Sequence, residues 1–316
     1  MANRLGNPGA WQPDIDRSVA EYDQWYLAES PGMFAQARER AVVEVAEAMR
    51  ATDDFRAFGA TSLIARPGAL FVARMCVSPP MARDRFVGFS GANKNLVTAM
   101  ERDGVTPAKA RELHFRLQAM CDFLRPLLDP VLFRWLGDDR AATAEERDRA
   151  TLVIGERLAS AFYLPVLRNA QEARQRELLR TYLEGKGFQA SPARPFEMSP
   201  GTFCFGRDVK VIRGDGAPQK LPVDCVVAPL DEQLPLACVE LKSAGDYTNV
   251  NKRRKEESDK SEALRRAHGD GAVFLLQLFG YFGRPYLGFE AAAGIDWAWD
   301  HRLGDLAPYF GITRKS

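Results

Sequence analysis

Residues 221–244 read LPVDCVVAPLDEQLPLACVELKSA. Two short runs rich in β-branched and apolar residues, LPVDCVV and LACVELK, flank the turn-forming APLDEQLP, so the pattern predicts two strands joined as a hairpin. Residues two apart on a strand project to the same face. Glu240 and Lys242 therefore stand side by side, while Leu241 faces the core. If the hairpin pairs, Asp224 lies opposite them. Two carboxylates and an ammonium then converge on one patch at the sheet edge.

The surroundings extend this pattern. Upstream, FCFGR predicts a strand, and before it a helix over Val166–Leu183 is closed by Gly187. Downstream, a charged segment from about Asn251 to Ala267 reads as a helix, HGDG breaks it, and AVFLLQLF reads as a buried strand. That helix is the crossover two parallel strands would need. The second half thus has the order αβββαβ.

The first half reads as helical. Apolar residues recur at helical spacing in Ile15, Val19, Tyr22 and Tyr26, in Phe34, Val42, Val45 and Met49, and in Leu113, Leu117, Met120 and Leu124. A further helix is expected over Ala144–Tyr163, with Pro165 marking a break or a fresh helix start. The fold class expected is α+β with an α/β-like core. A mainly helical region spans 1–164 and an αβββαβ domain spans 165–316.

Composition sets outer bounds. With 316 residues, 46% apolar and 27% charged, the chain can bury a full core. Apolar runs such as Val273–Phe279 fall well short of the roughly 20 residues of a membrane helix. No apolar stretch follows Arg4, so no signal peptide is visible and the cytoplasm is the expected location. The five cysteines are scattered with no CxxC pair, which argues for reduced thiols and against structural zinc. Neither GxxxxGK[ST] nor GxSxG is present, which removes ATP-driven and serine-hydrolase readings. A net charge of +1 neither demands nor forbids a polyanionic partner.

The patch of Asp224, Glu240 and Lys242 suits phosphodiester hydrolysis. Mg²⁺ takes carboxylate oxygens and keeps several waters. Held by Asp224 and Glu240, with the Leu241 carbonyl as a further donor, it would offset phosphate charge and acidify a bound water. Lys242 could orient the attacking water, or act as base if its pKa were lowered. Glu172 is a fourth candidate for the catalytic set, sharing a helix face with Gln175, Leu179 and Leu183. A carboxylate there is either solvated or aimed into a site, and Glu177 is its substitute.

The pattern resembles the PD-(D/E)xK nuclease superfamily, whose core has this element order, and its motif residues carry over as Asp224, Glu240 and Lys242. Val223 stands where the nominal proline would be, with Pro222 one place earlier. The sequence is more closely similar to the XamI-type restriction endonucleases. The stretches that carry this likeness are WQPDIDRSVAEYDQWY, PPMARDRFVGFSGANKNLV, RNAQEARQ, VELKSAGDYTNVNKRRKEE and GYFGRPYLGFEAAAGIDWAWDHR. The resemblance implies a type II restriction endonuclease that cuts double-stranded DNA to 5′-phosphate and 3′-hydroxyl ends. It also implies a homodimer matching a palindromic site, and a DNA methyltransferase as genetic partner.

DNA contacts are expected just after the catalytic strand. Ser243, Asp246, Tyr247, Thr248, Asn249 and Asn251 form a polar loop able to reach base edges. Lys252, Arg253, Arg254 and Lys255 follow as a phosphate clamp or as a solvated helix face. Arg83, Arg85, Lys94 and Asn95 are further DNA candidates in the helical half. The aromatic tail, Tyr281, Phe282, Tyr286, Phe289, Trp297 and Trp299, reads as core or subunit interface. His114, His268 and His301 have no metal-ligand spacing. Two rival readings share the site residues: a less specific repair or recombination nuclease, and a non-catalytic DNA-binding protein of the same fold.

Overall fold

The computed structural model describes residues 8–103, 110–212, 216–248 and 254–312. They form a mixed α+β protein with a helical N-terminal half and, among the described residues, one six-stranded sheet. The helices are α1 (Gln12–Ala51), α2 (Ala60–Ala65), α3 (Ala69–Cys76), α4 (Arg83–Ser90), α5 (Lys94–Asp103) and α6 (Ala110–Leu124). They continue as α7 (Arg134–Gly137), α8 (Ala144–Gly185), α9 (Arg254–His268) and α10 (Arg284–Ala292). The strands are β1 (Gln189–Ala190), β2 (Thr202–Ile212), β3 (Pro218–Ala228), β4 (Leu236–Ala244), β5 (Ala272–Gly280) and β6 (Asp296–Trp299).

Two compact units divide the chain. One contains residues 1–29 and 168–316, the other residues 30–167. The expected break at Pro165 does not occur. Pro165 lies inside α8, a single helix of 42 residues, just as Pro31 lies inside α1. A proline interior to a helix removes one backbone hydrogen bond, and the long apolar series on both sides of Pro165 outweighs that loss. Ala150, Ile154 and Leu158 are fully buried before it, and Leu179 and Leu183 after it. By length and composition one window of α8 would also fit a membrane. Its residues Ile154, Leu158 and Ala159 belong to a protein core.

The helical unit is built around Phe55, Phe58, Phe133 and Trp135, whose rings meet edge-on or tilted with centroids 5.1–5.3 Å apart. The Trp135 Nε1–H donates to the Asp54 carbonyl at 2.9 Å, so this buried ring leaves no donor unpaired. Glu101 is buried and held by Arg74 at 2.5 Å and Arg83 at 2.7 Å.

The unit carrying the sheet follows the predicted strand order. FCFGR, LPVDCVV, LACVELK and AVFLLQLF fall in β2, β3, β4 and β5. The sheet runs β1 to β6 in chain order. β2–β3 and β3–β4 are antiparallel, and β4–β5 is parallel, with α9 as the crossover. One sheet face packs on α8 through Val239, Leu241, Leu179 and Leu183. On the opposite face Cys238 and Leu276 pack with Leu264 of α9 and with Trp11 and Ile15. Phe282, Tyr286, Trp297 and Trp299 are buried in that second core, as the core reading of the aromatic tail expects, whereas Tyr281 is half-buried and Phe289 exposed.

Gly280 ends β5 at φ +97°, a conformation that favours glycine. A Cβ there would run into the Ala244 carbonyl and approach the Tyr22 ring at 2.8 Å. A Cβ on Gly288 meets nothing within 4 Å. Gly280→Ala is therefore expected to lower unfolding free energy by about 2–3 kcal/mol in a denaturant titration, with Gly288→Ala neutral or stabilising. Equal behaviour of the two variants would contradict this packing.

Candidate active site

The geometry begins where β3 and β4 part. Their pairing runs Val227–Ala237, Val226–Cys238 and Cys225–Val239, and Asp224 and Glu240 are the next residues along. At that point a side chain takes over from the ladder. The Leu241 N–H donates to Asp224 Oδ2 at 2.8 Å. Glu240 and Lys242 project together from β4, as strand alternation requires, and both are buried. Lys242 Nζ lies 3.2 Å from Glu240 Oε1.

Helix α9 adds two groups that the hairpin alone does not reveal. Buried Glu257 sets its Oε1 3.3 Å from Lys242 Nζ, and Lys260 pairs with Glu240 Oε1. Glu257 and Lys260 lie in a run so charged that no single residue stands out. The available signal is the helical series Glu257, Ser261 and Leu264, all buried.

Charge and burial act on each other here. Burial is the main influence raising the Asp224 carboxyl above its usual range, followed by the charge of Glu240; the Leu241 N–H and Lys242 pull the other way, and Glu172 adds to the rise. Burial disfavours the Lys242 ammonium, but Glu240 and Glu257 outweigh it, so its pKa is raised. Burial likewise raises Glu257, against the opposing influence of Lys242.

Glu172 on α8 is close enough for Asp224 to feel its charge, and it accepts from Arg176 Nη2 at 2.7 Å. Glu177 lies 3.5 Å from Arg180 and is exposed. Beneath the site, Gln175 donates to the carbonyls of Lys242 and Gln277 and to Asp300 Oδ1, each at 3.2 Å. Gln277 donates to the Gln175 carbonyl at 3.1 Å and to Asp300 Oδ1 at 2.7 Å, and Arg174 pairs with Asp300. The helical spacing puts Gln175 on one face with Glu172 but does not reveal this buried layer. Its members are far apart in the chain.

The expected DNA loop is partly placed. Ser243 donates to Gln175 Oε1 at 2.8 Å. Asp246 accepts from the Thr248 N–H at 2.8 Å, and half-exposed Tyr247 meets the Tyr281 ring edge-on at 5.1 Å. Asn249, Asn251, Lys252 and Arg253 lie outside the described residues. So do the side chains of Arg254 and Lys255, which open α9. In the helical unit Arg83 is engaged by Glu101 and Lys94 by Asp84, while Arg85 and Asn95 are exposed.

The donor set fits a hydrated hard cation. Among the described residues Glu240 Oε2 is buried without a hydrogen-bond partner, beside a second carboxylate whose charged form burial disfavours. Among the described residues no group of three or more His, Cys, Asp or Glu side chains gathers as a closed metal cluster. Two carboxylates would leave most positions around such a cation to water or substrate, as Mg²⁺ sites commonly do.

The model of the XamI restriction endonuclease family matches residues 53–299. The chain belongs to the XamI restriction endonuclease family. Membership covers most of both units and includes Asp224, Glu240, Lys242, Glu257 and Lys260. The type II restriction enzyme SalI of Streptomyces albus G is 39% identical over 307 residues, 95% of this chain and 96% of that enzyme. Among solved structures, protein VC1899 from Vibrio cholerae aligns over 90% of this chain and 58% of its own, at 11% identity and a TM-score of 0.30. That likeness is too slight to bear on the fold. Type II restriction enzymes generally use a divalent metal, and family members act on double-stranded DNA.

The Asp224 shift has a consequence for stability. Between its ordinary and raised values the folded state holds more protons than the unfolded one, so stability falls as pH rises through that interval. Above it, the ionised carboxylate opposes folding. In EDTA at pH 7, Asp224→Asn is expected to melt at a higher temperature than the parent, with the gain shrinking toward pH 4. A lower melting temperature at pH 7 would mean the carboxylate is net stabilising.

Proposed function

We propose that this protein is a type II restriction endonuclease that hydrolyses double-stranded DNA at a specific sequence with Mg²⁺. The observation that carries the reading is the convergence of Asp224, Glu240 and Lys242 where β3 and β4 part, within a chain of this family. The order of α8, β2, β3, β4, α9 and β5 supports the reading of residues 165–316 as a PD-(D/E)xK nuclease core. In this reading the helical region 1–164 helps hold DNA.

Mg²⁺ on the Asp224 and Glu240 carboxylates and the Leu241 carbonyl would offset phosphate charge and acidify a bound water. Lys242 has a defined part beside it. Glu240 and Glu257 favour its ammonium form, which donates hydrogen bonds and positive charge. It orients that water toward phosphorus and offsets charge on the non-bridging oxygens. The P–O3′ bond breaks as the new P–O bond forms; the water's hydroxyl stays on phosphorus, its proton passes to solvent and solvent returns one to O3′, leaving a 5′-phosphate and a 3′-hydroxyl. Glu172 contributes a further negative charge on the Asp224 side, held by Arg176. Ser243 lies within β4 and is engaged by Gln175, so the segment that follows the strand, from Asp246 to Lys255, supplies the contacts to bases and phosphates.

A homodimer would present two such sites to a palindrome and cut both strands. A DNA methyltransferase of the same specificity would protect the host genome, and the enzyme would work in the cytoplasm where that genome lies.

Purified protein incubated with a long unmethylated DNA is expected to give discrete fragments with Mg²⁺ and none with EDTA. Asp224→Ala, Glu240→Ala and Lys242→Ala should each slow cleavage by at least ~100-fold. A metal-dependent smear would favour the less specific nuclease. Intact DNA with retained binding in a gel shift would favour the non-catalytic reading.

A further inference from the structure

The charged groups around β4 alternate in sign along a chain of contacts: Glu257, Lys242, Glu240, Lys260. Two strand residues on one face meet two helix residues three apart, which are neighbours on the surface of α9. Both ammonium groups reach the same oxygen, Glu240 Oε1, while Oε2 is buried and has no hydrogen-bond partner among the described residues. Glu240 is thus neutralised twice on one oxygen and left open on the other.

We propose that Lys260 is a built-in cation that occupies Glu240 in the metal-free enzyme and is displaced when a divalent ion binds, so that it sets the metal affinity of the site. The inference rests on the reading of Asp224 and Glu240 as metal ligands. Charge balance supports it. When all are ionised, these four groups and Asp224 carry one net negative charge, and without Lys260 they carry two, matching a divalent cation.

Burial decides which lysine yields. The Lys242 side chain is 11% exposed and faces Glu257, which is 1% exposed. Withdrawing Lys242 would strand a carboxylate in the interior, a change that costs several kcal/mol. Lys260 is 22% exposed, lies nearer solvent and is paired with Glu240. Its flexible four-carbon stem can carry the ammonium outward without uncovering a second buried charge. Lys242 is therefore the fixed cation of the pair and Lys260 the exchangeable one. Glu257 acts as a positioning residue that keeps Lys242 in place when Lys260 leaves.

The test is Mn²⁺ binding to the full chain without DNA, read from the free-Mn²⁺ electron paramagnetic resonance signal. Lys260→Gln is expected to tighten Mn²⁺ binding by about tenfold, as removal of a competing unit charge at a buried carboxylate should. Lys260→Arg, which keeps the charge, should stay close to the parent. Lys260→Met replaces the Gln variant if circular dichroism shows the latter unfolded, and it should tighten binding equally. An unchanged or weaker Mn²⁺ affinity in a folded, uncharged variant overturns the proposal. Glu240→Gln and Asp224→Asn separate the two levels. If they bind Mn²⁺ like the parent, the metal-site reading fails; if they lose it while the Lys260 variants match the parent, only the role of Lys260 fails.

Discussion

The backbone N–H of Leu241 is a ladder donor that β3 does not satisfy with a carbonyl. Asp224 Oδ2 takes it instead at 2.8 Å, just past the last paired residues of β3 and β4. A buried backbone donor needs an acceptor, and supplying one from a side chain has two effects at once. The strands part without an orphaned N–H, and the Asp224 carboxylate is fixed beside Glu240. Two acids near each other in a desolvated place would ordinarily avoid ionising together. Here the arrangement is over-determined by the sheet, so the unfavourable juxtaposition persists.

The two faces of β4 divide the work of holding that arrangement. On one, Glu240 and Lys242 meet Glu257 and Lys260 of α9 in a chain of opposite charges. On the other, Gln175 of α8 gathers the carbonyls of Lys242 and Gln277 and the carboxylate of Asp300. Burial raises Asp300, while Gln277, Arg174 and Gln175 oppose the shift. A buried polar layer of this kind fixes position more than it adds stability. Its effect is to hold the main chain at Lys242, so that the residue's ammonium stays where Glu240 and Glu257 can share it.

Much of this was legible in residues 221–244 because strand alternation is a local rule. Glu240 and Lys242 had to share a face, and APLDEQLP had to turn. The crossover helix was legible for the same reason, since HGDG and AVFLLQLF mark its end. What could not be read were contacts that close over long separations. Gln175 and Asp300 are 125 residues apart, and Gln175 and Lys242 are 67 apart. Glu257 and Lys260 were hidden differently, inside a run where nearly every residue is charged and only the burial of Ser261 and Leu264 marks the inner face. At Pro165 a local rule misled. The proline predicts a break, yet α8 runs through it unbroken, with buried residues up to Tyr163 and again from Gln175 to Leu183.

A site built this way draws on the rest of its unit. Burial disfavours the charged forms of Asp224, Glu257 and Asp300 together, and such groups generally add little to net stability even when paired. The compensation lies in apolar contacts close by. Cys238 and Leu276 share a core with Leu264, Phe282, Tyr286, Trp297 and Trp299, on the sheet face that packs on α9. Trp297 and Trp299 come from β6, which pairs with β5, and β5 in turn pairs with β4 along its whole length. The aromatic residues thus support the strand that presents Glu240 and Lys242. Exchanges among them should be felt first as looseness at Glu240 and Lys242, where packing opposes an electrostatic cost, and only later as loss of the fold.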